Sequence, residues 1–265
     1  MRAKLILCVL LLASYPIQAI IDGETCTEDQ FPASLALIKY YGNRYQVTCG
    51  ATLITPDVAL TAAHCVETLT HDFQYYVSSK ADLQNLKAHD FYPNSPVTIY
   101  VKSIAVHGRY FRNRITQHDI ALLFLSRPST IAPAKIISPK DETQLEPATL
   151  GYIVGWGQKT MGLNGSVDVP AFKTCAKTFI NDVKPSLLQF GSIVHSARQC
   201  FGDSGGAAYV ELESEVLGGQ SKIRLAGITS HGKDGDSDCQ KGTYNTRVDV
   251  YRDWIEKSIK AYKAQ

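Results

Sequence analysis

The sequence predicts an all-β protein, an antiparallel barrel or sandwich, completed by a single helix at the C-terminus. Short runs of β-branched and aromatic residues recur along the chain, Gly, Pro, Asn and Asp break them repeatedly, and a helical period appears only near the end. At 265 residues, 45% hydrophobic and 20% charged, the chain is long enough to bury a full core, which excludes disorder and a mini-scaffold. Its 27 Lys and Arg against 25 Asp and Glu, without a basic run, leave no electrostatic footprint for nucleic acid.

At the start, Arg2 and Lys4 precede an apolar run over residues 5–13, followed by Ser14, Pro16 and the small Ala19. A basic start, a short apolar stretch and a small residue at the cut form a secretory signal peptide over residues 1–19. About nine apolar residues fall well short of the roughly 18 that span a membrane, so the expectation is a secreted, extracellular chain without a membrane anchor. Strands are expected over residues 34–40, 46–54, 58–62, 104–107, 120–125, 152–156, 207–210, 223–229 and 243–250. Turn chemistry fills the intervals, as in Tyr41-Gly42-Asn43, Pro93-Asn94-Ser95-Pro96 and Gly162-Leu163-Asn164-Gly165. Residues 126–146, with Pro128, Pro133 and Pro139, suit a linker between two halves. After Asp253, Trp254, Ile255, Ile259 and Tyr262 fall near a 3.6-residue period with Lys257, Lys260 and Lys263 between them, predicting a helix over residues 251–262.

Cys8 leaves with the leader, and Cys26, Cys49, Cys65, Cys175, Cys200 and Cys239 remain. An even set in an exported chain, without the CxxC pairs of a zinc site, predicts three disulfides, and the spacing alone leaves their connectivity open. Asn164-Gly165-Ser166 is a glycosylation sequon.

Three strings carry chemistry: Thr61-Ala62-Ala63-His64-Cys65, Asp119-Ile120-Ala121-Leu122-Leu123 and Gly202-Asp203-Ser204-Gly205-Gly206. A serine hydroxyl is a weak nucleophile at neutral pH and needs a base, and the base needs a third group to fix its tautomer and stabilise its charged form. Histidine is the natural base because its pKa lies near working pH. Glycines beside the serine let two backbone N–H groups, those of Gly202 and Ser204, point at one developing oxyanion. His71, His89, His107, His118 and His195 lack the Ala-Ala-His-Cys context and are expected to be surface or packing residues.

With these strings the sequence resembles the trypsin/chymotrypsin family of serine proteases, in which the order along the chain is His, Asp, Ser. Ile20-Ile21-Asp22-Gly23, Cys49-Gly50, Gly155-Trp156-Gly157, Ser230-His231-Gly232 and Gly242-Thr243-Tyr244 extend the likeness over residues 20–265. The resemblance implies two antiparallel six-stranded β-barrels, roughly residues 20–135 and 136–250, with the C-terminal helix. It implies His64 as general base and acid, Asp119 as its orienting carboxylate, Ser204 as nucleophile and Ser230 as a support for Asp119. It also implies an activation pair between the α-amino group of Ile20 and Asp203, and pairing of Cys49 with Cys65, Cys200 with Cys239 and Cys26 with Cys175. A signal cut after Ala19 would expose Ile20 at once, giving a protease born active; a short propeptide ending in Gln18-Ala19 is the alternative.

By the same resemblance the specificity pocket takes Arg198, Gln199, Gly232 and Gly242. An arginine at the pocket base in place of the aspartate of trypsins would accept Asp or Glu through charge-assisted hydrogen bonds. His231 stands where the family usually has an aromatic platform. The insertion 233–238, with Asp234, Asp236 and Asp238, is read as a solvated acidic loop rather than a calcium site. The family needs no cofactor and no metal; its members act on protein or peptide substrates, meet protein inhibitors and are expected to be monomers. The resulting expectation is a secreted serine endopeptidase, with a catalytically silent binding protein on the same fold, or a protease of basic or apolar preference, as alternatives. An esterase or lipase is excluded because that fold requires a Ser-Asp-His order and a nucleophile elbow.

Overall fold

A computed structural model of the chain describes residues 20–41, 44–66, 73–111, 117–157, 172–192, 197–213, 221–236 and 239–264. The expected leader, His71, His195, the sequon at Asn164 and the end of the acidic insertion lie outside these residues. After the short β1 (Glu24–Thr25) come β2 (Ser34–Tyr41), β3 (Arg44–Thr55), β4 (Val58–Thr61), β5 (Gln74–Ser78), β6 (Ile99–Val106) and β7 (Ala121–Leu125). The last six close into an antiparallel barrel in the order β2-β3-β4-β7-β6-β5. The second half holds β8 (Leu150–Gly155), β9 (Thr174–Val183), β10 (Leu187–Phe190), β11 (Ala207–Leu212), β12 (Lys222–Gly232) and β13 (Thr243–Arg247). These run β9-β10-β13-β12-β11-β8, and pairing of β8 with β9 closes the second ring. The fold is therefore two six-stranded barrels with α1 (Arg252–Lys263) at the end.

Period-two patterning explains most of these strands, and its failure is equally informative. All five residues of β7 are buried, so the run Ala-Leu-Leu-Phe-Leu has no polar face. One side fills the barrel and the other is covered by α1, whose Tyr262 ring stacks on Phe124 at 3.8 Å. The sequence reading missed the two-residue β1 and also β5, β9 and β10. β5 and β10 are only five and four residues long, and β9 carries polar residues along much of its length.

Both ends of the chain cross over. β1 pairs with β9 of the second barrel, Glu24 opposite Cys175, and the Cys26–Cys175 disulfide locks that contact. In the opposite sense α1 packs Ile255, Ile259 and Tyr262 onto the core of the first barrel, and Lys263 pairs with Asp57 at 3.5 Å. Two further disulfides join Cys49 to Cys65 and Cys200 to Cys239. The three bridges fit an extracellular protein. Among the described residues no helix is long and apolar enough to cross a membrane.

Candidate active site

His64 sits on the 3-10 turn Ala63–Cys65 that follows β4. Ala62 and Ala63 are fully buried, so only small side chains fit there, and the Cys49–Cys65 bridge ties the turn back to β3. Those two cysteines lie close to His64 but, being joined to each other, offer no thiolate to a metal. Asp119 lies two residues before the start of β7 and is 1% exposed. Its Oδ2 accepts from His64 Nδ1 at 2.8 Å and its Oδ1 from the His64 amide at 3.0 Å, which fixes the imidazole plane and the Nδ1–H tautomer. Ser230 Oγ donates to the same Oδ2 at 2.5 Å. Three donors thus replace the water that a buried carboxylate has lost.

Ser230 owes its aim to a bulge. In the β12–β13 ladder Thr229 faces Asn245 and His231 faces Tyr244, so residue 230 has no partner in register. An extra residue of this kind re-aims a side chain. Because the Ser230 proton goes to Asp119, His231 Nδ1 must donate to Ser230 Oγ across their 3.0 Å contact. Burial holds the His231 imidazole below its ordinary pKa; Asp119 opposes that shift, and His64 and Lys184 add to it.

Ser204 reaches the first barrel through glycines. A Cβ on Gly205 would lie 2.2 Å from Thr61 Oγ1, and one on Gly50 would lie 2.6 Å from the Gly206 Cα, so the two barrels meet here backbone to backbone. The Gly50 amide donates to the Ser204 carbonyl at 2.7 Å. Gly202 has φ of +85°, a conformation that suits glycine, and among the described residues the amides of Gly202 and Ser204 donate to no protein acceptor. Ser204 and His64 line one cleft of about 530 Å³ without a direct hydrogen bond between them. Catalytic bonds of this type are often long in a free enzyme and tighten around substrate.

Asp203 is fully buried between Cys200 and Gly157, whose amides each donate to it at 2.9 Å. The Gly155-Trp156-Gly157 string makes the room, since a Cβ on Gly155 would come within 2.0 Å of Asp203 Oδ1. Among the described residues no cation pairs with this carboxyl, and burial pushes its pKa up to about 7. Ile20 is itself fully buried, in a cluster with Ile137, Leu145, Ile153 and Ala197.

Gln199, His231, Gly232 and Asp236 also line the cleft, while Arg198 and Gly242 do not. Arg198 pairs its backbone with Ile21 in both directions, at 3.0 and 3.2 Å. Its guanidinium donates through Nε to the Cys239 carbonyl and through Nη2 to Gln240 Oε1 at 3.0 Å, and Nη1 lies 3.6 Å from Asp22 Oδ2. An acidic preference through Arg198 would need its guanidinium to line the cleft, and it does not. Gly242 is turned against the Gly191 carbonyl, which a Cβ would approach to 2.1 Å. A larger polar groove, about 830 Å³ between the linker and β11–β12, holds none of the three strings.

The family model described as Trypsin matches residues 20–255. The chain belongs to the trypsin family. It is 30% identical over 260 residues to chymotrypsin-C of Rattus norvegicus, a match covering 91% of this chain and 88% of that protein. It is 29% identical over 255 residues to chymotrypsin-like elastase family member 1 of Macaca fascicularis, covering 91% and 89% respectively.

In this trypsin-family chain the strings around His64, Asp119 and Ser204 meet although 55 and 85 residues separate them in sequence. Sequence reasoning missed the His231–Ser230 bond, which depends on a one-residue bulge, and the ion pair of Asp22 with Arg198. It also missed Phe201 and Thr229 in the cleft wall, which carry no motif of their own, and gave no role to Thr243. Of the histidines set aside, His89 is exposed, while His107 and His118 stack with ring centroids 4.9 Å apart and pack edge-on against Tyr251.

Proposed function

We propose that the protein is a secreted serine endopeptidase that hydrolyses peptide bonds through an acyl-enzyme. The observation that carries this reading is the convergence of His64, bonded to Asp119 at 2.8 Å, and Ser204 on one cleft at the junction of the barrels. Ser204 Oγ attacks the scissile carbonyl while His64 Nε2 takes its proton, and the imidazolium is stabilised by Asp119 at Nδ1. The carbonyl oxygen becomes an oxyanion within reach of the free amides of Gly202 and Ser204. His64 then gives the proton to the leaving amine, the acyl group remains on Ser204, and a water deprotonated by His64 releases it. Ser230 holds Asp119 in place throughout.

Asp203 supports an activation step. A buried carboxyl with two amide donors and no cation is completed by the α-ammonium of Ile20, generated by a cut after Ala19. That pair would hold residues 202–204 in their working arrangement. The cleft is read as the site of the residue before the scissile bond, with Cys200, Gln199, Gly232 and Cys239 around it. Because Arg198 does not line the cleft, the preference we assign is for uncharged side chains. The protein is read as a monomer acting on protein or peptide substrates and open to protein inhibitors, with neither cofactor nor metal.

The test is digestion of a diverse peptide library by the chain starting at Ile20 beside a Ser204→Ala control. Cuts present with the first and absent with the second are expected. A folded chain with the correct start that makes no cuts refutes the enzymatic reading and leaves a binding protein on a protease scaffold.

A further inference from the structure

We infer that Asp22 determines specificity as the counter-ion of Arg198, so that the turn at the start of the chain keeps the cleft from accepting carboxylate side chains. The inference rests on the reading of the cleft as the site for the residue before the scissile bond.

Arg198 is enclosed, with its side chain 8% exposed, and lies directly behind the cleft wall: its neighbour Gln199 and its acceptor Cys239 both line the cleft. A buried guanidinium in that position would ordinarily attract an acidic ligand, because little solvent screens it. Its Nε and Nη2 instead donate to the Cys239 carbonyl and Gln240, and its Nη1 lies 3.6 Å from Asp22, whose side chain is 70% exposed. Asp22 supplies the negative charge that the other two lack. It reaches Arg198 from a tight turn in which the Gly23 amide donates to the Ile20 carbonyl at 3.0 Å and Asp22 itself adopts φ of +58°. Asp is among the few non-glycine residues that enter this conformation readily. Gly23 is required next, because a Cβ there would lie 2.8 Å from Thr174 Cγ2. The turn is further held by the Ile21–Arg198 backbone bridge, so backbone and side chain bind the same residue.

Gln199 closes the wall in front of Arg198. Thr229 Oγ1 donates to the Gly206 carbonyl, so it must receive its other bond from Gln199 Nε2. That fixes the amide orientation and leaves Gln199 Oε1 buried without a partner among the described residues. Asp236 lies on the same wall, and its carboxylate accepts from the Lys241 amide. With Arg198 paired from behind to Asp22, an incoming carboxylate meets no unpaired cation at this wall, whereas an uncharged side chain needs none.

The experiment compares the chain starting at Ile20 with its Asp22→Asn, Arg198→Gln and doubly substituted variants. The reading is the ratio of kcat/KM for peptides with Glu before the bond to peptides with Gln there. Asn tolerates the same backbone conformation, so Asp22→Asn removes charge and leaves the turn. The expected result is a rise of about tenfold or more in the Glu to Gln ratio for Asp22→Asn, and its disappearance in the double variant. Arg198→Gln alone is expected to leave the ratio within about twofold of the parent, because the carboxylate it leaves behind, Asp22, is 70% exposed and screened by solvent. An unchanged ratio in Asp22→Asn, or a collapse of Glu cleavage in Arg198→Gln, overturns the inference. Binding of a product peptide ending in Glu, measured calorimetrically in the Ser204→Ala background, separates the two readings. Tighter binding with Asp22→Asn sustains the counter-ion role even if no chain cleaves, and equal binding with and without the substitution refutes it even if every chain does.

Discussion

A cut before Ile20 is expected to reverse the way stability responds to pH, because it supplies the cation that Asp203 lacks. With the chain continuous, burial holds the Asp203 carboxyl at a pKa of about 7. An unfolded aspartate titrates near 3.9, so the folded chain binds the extra proton between those limits. Stability from this group is fully present below about pH 3.9 and is lost as pH rises through about 7, a total of about 4 kcal/mol. Once Ile20 carries an α-ammonium beside the carboxyl, Asp203 remains ionised when folded and that slope vanishes. The new pair contributes stability above about pH 4, lost only as the α-amino group deprotonates above its free value of about 8. Urea unfolding midpoints between pH 4 and 8 for two Ser204→Ala chains, one retaining residues before Ile20 and one starting there, provide the assay. Other titrating groups are common to both and cancel in the difference. Equal pH slopes for the two chains would refute the reasoning, as would survival of the slope in an uncut Asp203→Asn chain.

Three further outcomes follow from the geometry. Ser230→Ala deletes a donor to the buried Asp119 and should lower kcat/KM by roughly 10- to 100-fold, the worth of a hydrogen bond to a charged group, with little change in Tm. Gly155→Ala drives a methyl to 2.0 Å from Asp203 Oδ1, so a loss of about 1–3 kcal/mol in denaturant stability is expected, together with lower activity. Replacing both Cys49 and Cys65 by Ala opens a loop closed across 16 positions and should cost about 3 kcal/mol in the chain-entropy model, read from the urea midpoint.

The fold class and the family were legible because they rest on local signals. β2, β3, β4 and β12 announce themselves by β-branched runs, and the three strings around His64, Asp119 and Ser204 survive in contiguous residues. What was hidden depends on distance. β9 reads as polar because Thr174, Lys177, Thr178, Asn181 and Asp182 interrupt its apolar residues, and its pairing with β1, β8 and β10 comes from distant parts of the chain. Arg198 in isolation promises an open cation, and its silencing depends on Asp22, which is 176 positions away and acts only through the turn at Ile20–Gly23. Lys173 is a similar case: nothing local marks it as fully buried, yet it donates to the carbonyls of Gln30 and Phe31, and burial lowers its pKa to about 8.

The exchanged ends of the chain bear on how such a molecule ages. The stretch from residue 126 to 149, without a strand of its own, looks like the weak point, a tether joining two barrels. Yet a nick there would separate nothing: the leading segment is already woven into the far barrel and covalently bound to Cys175, and the trailing helix roofs the near one. The tether sets the order of synthesis, while cohesion lies in the swapped ends. For a protein proposed to work among enzymes that cut peptide bonds, His64 and Ser204 would stay facing one another after the chain between them had been severed.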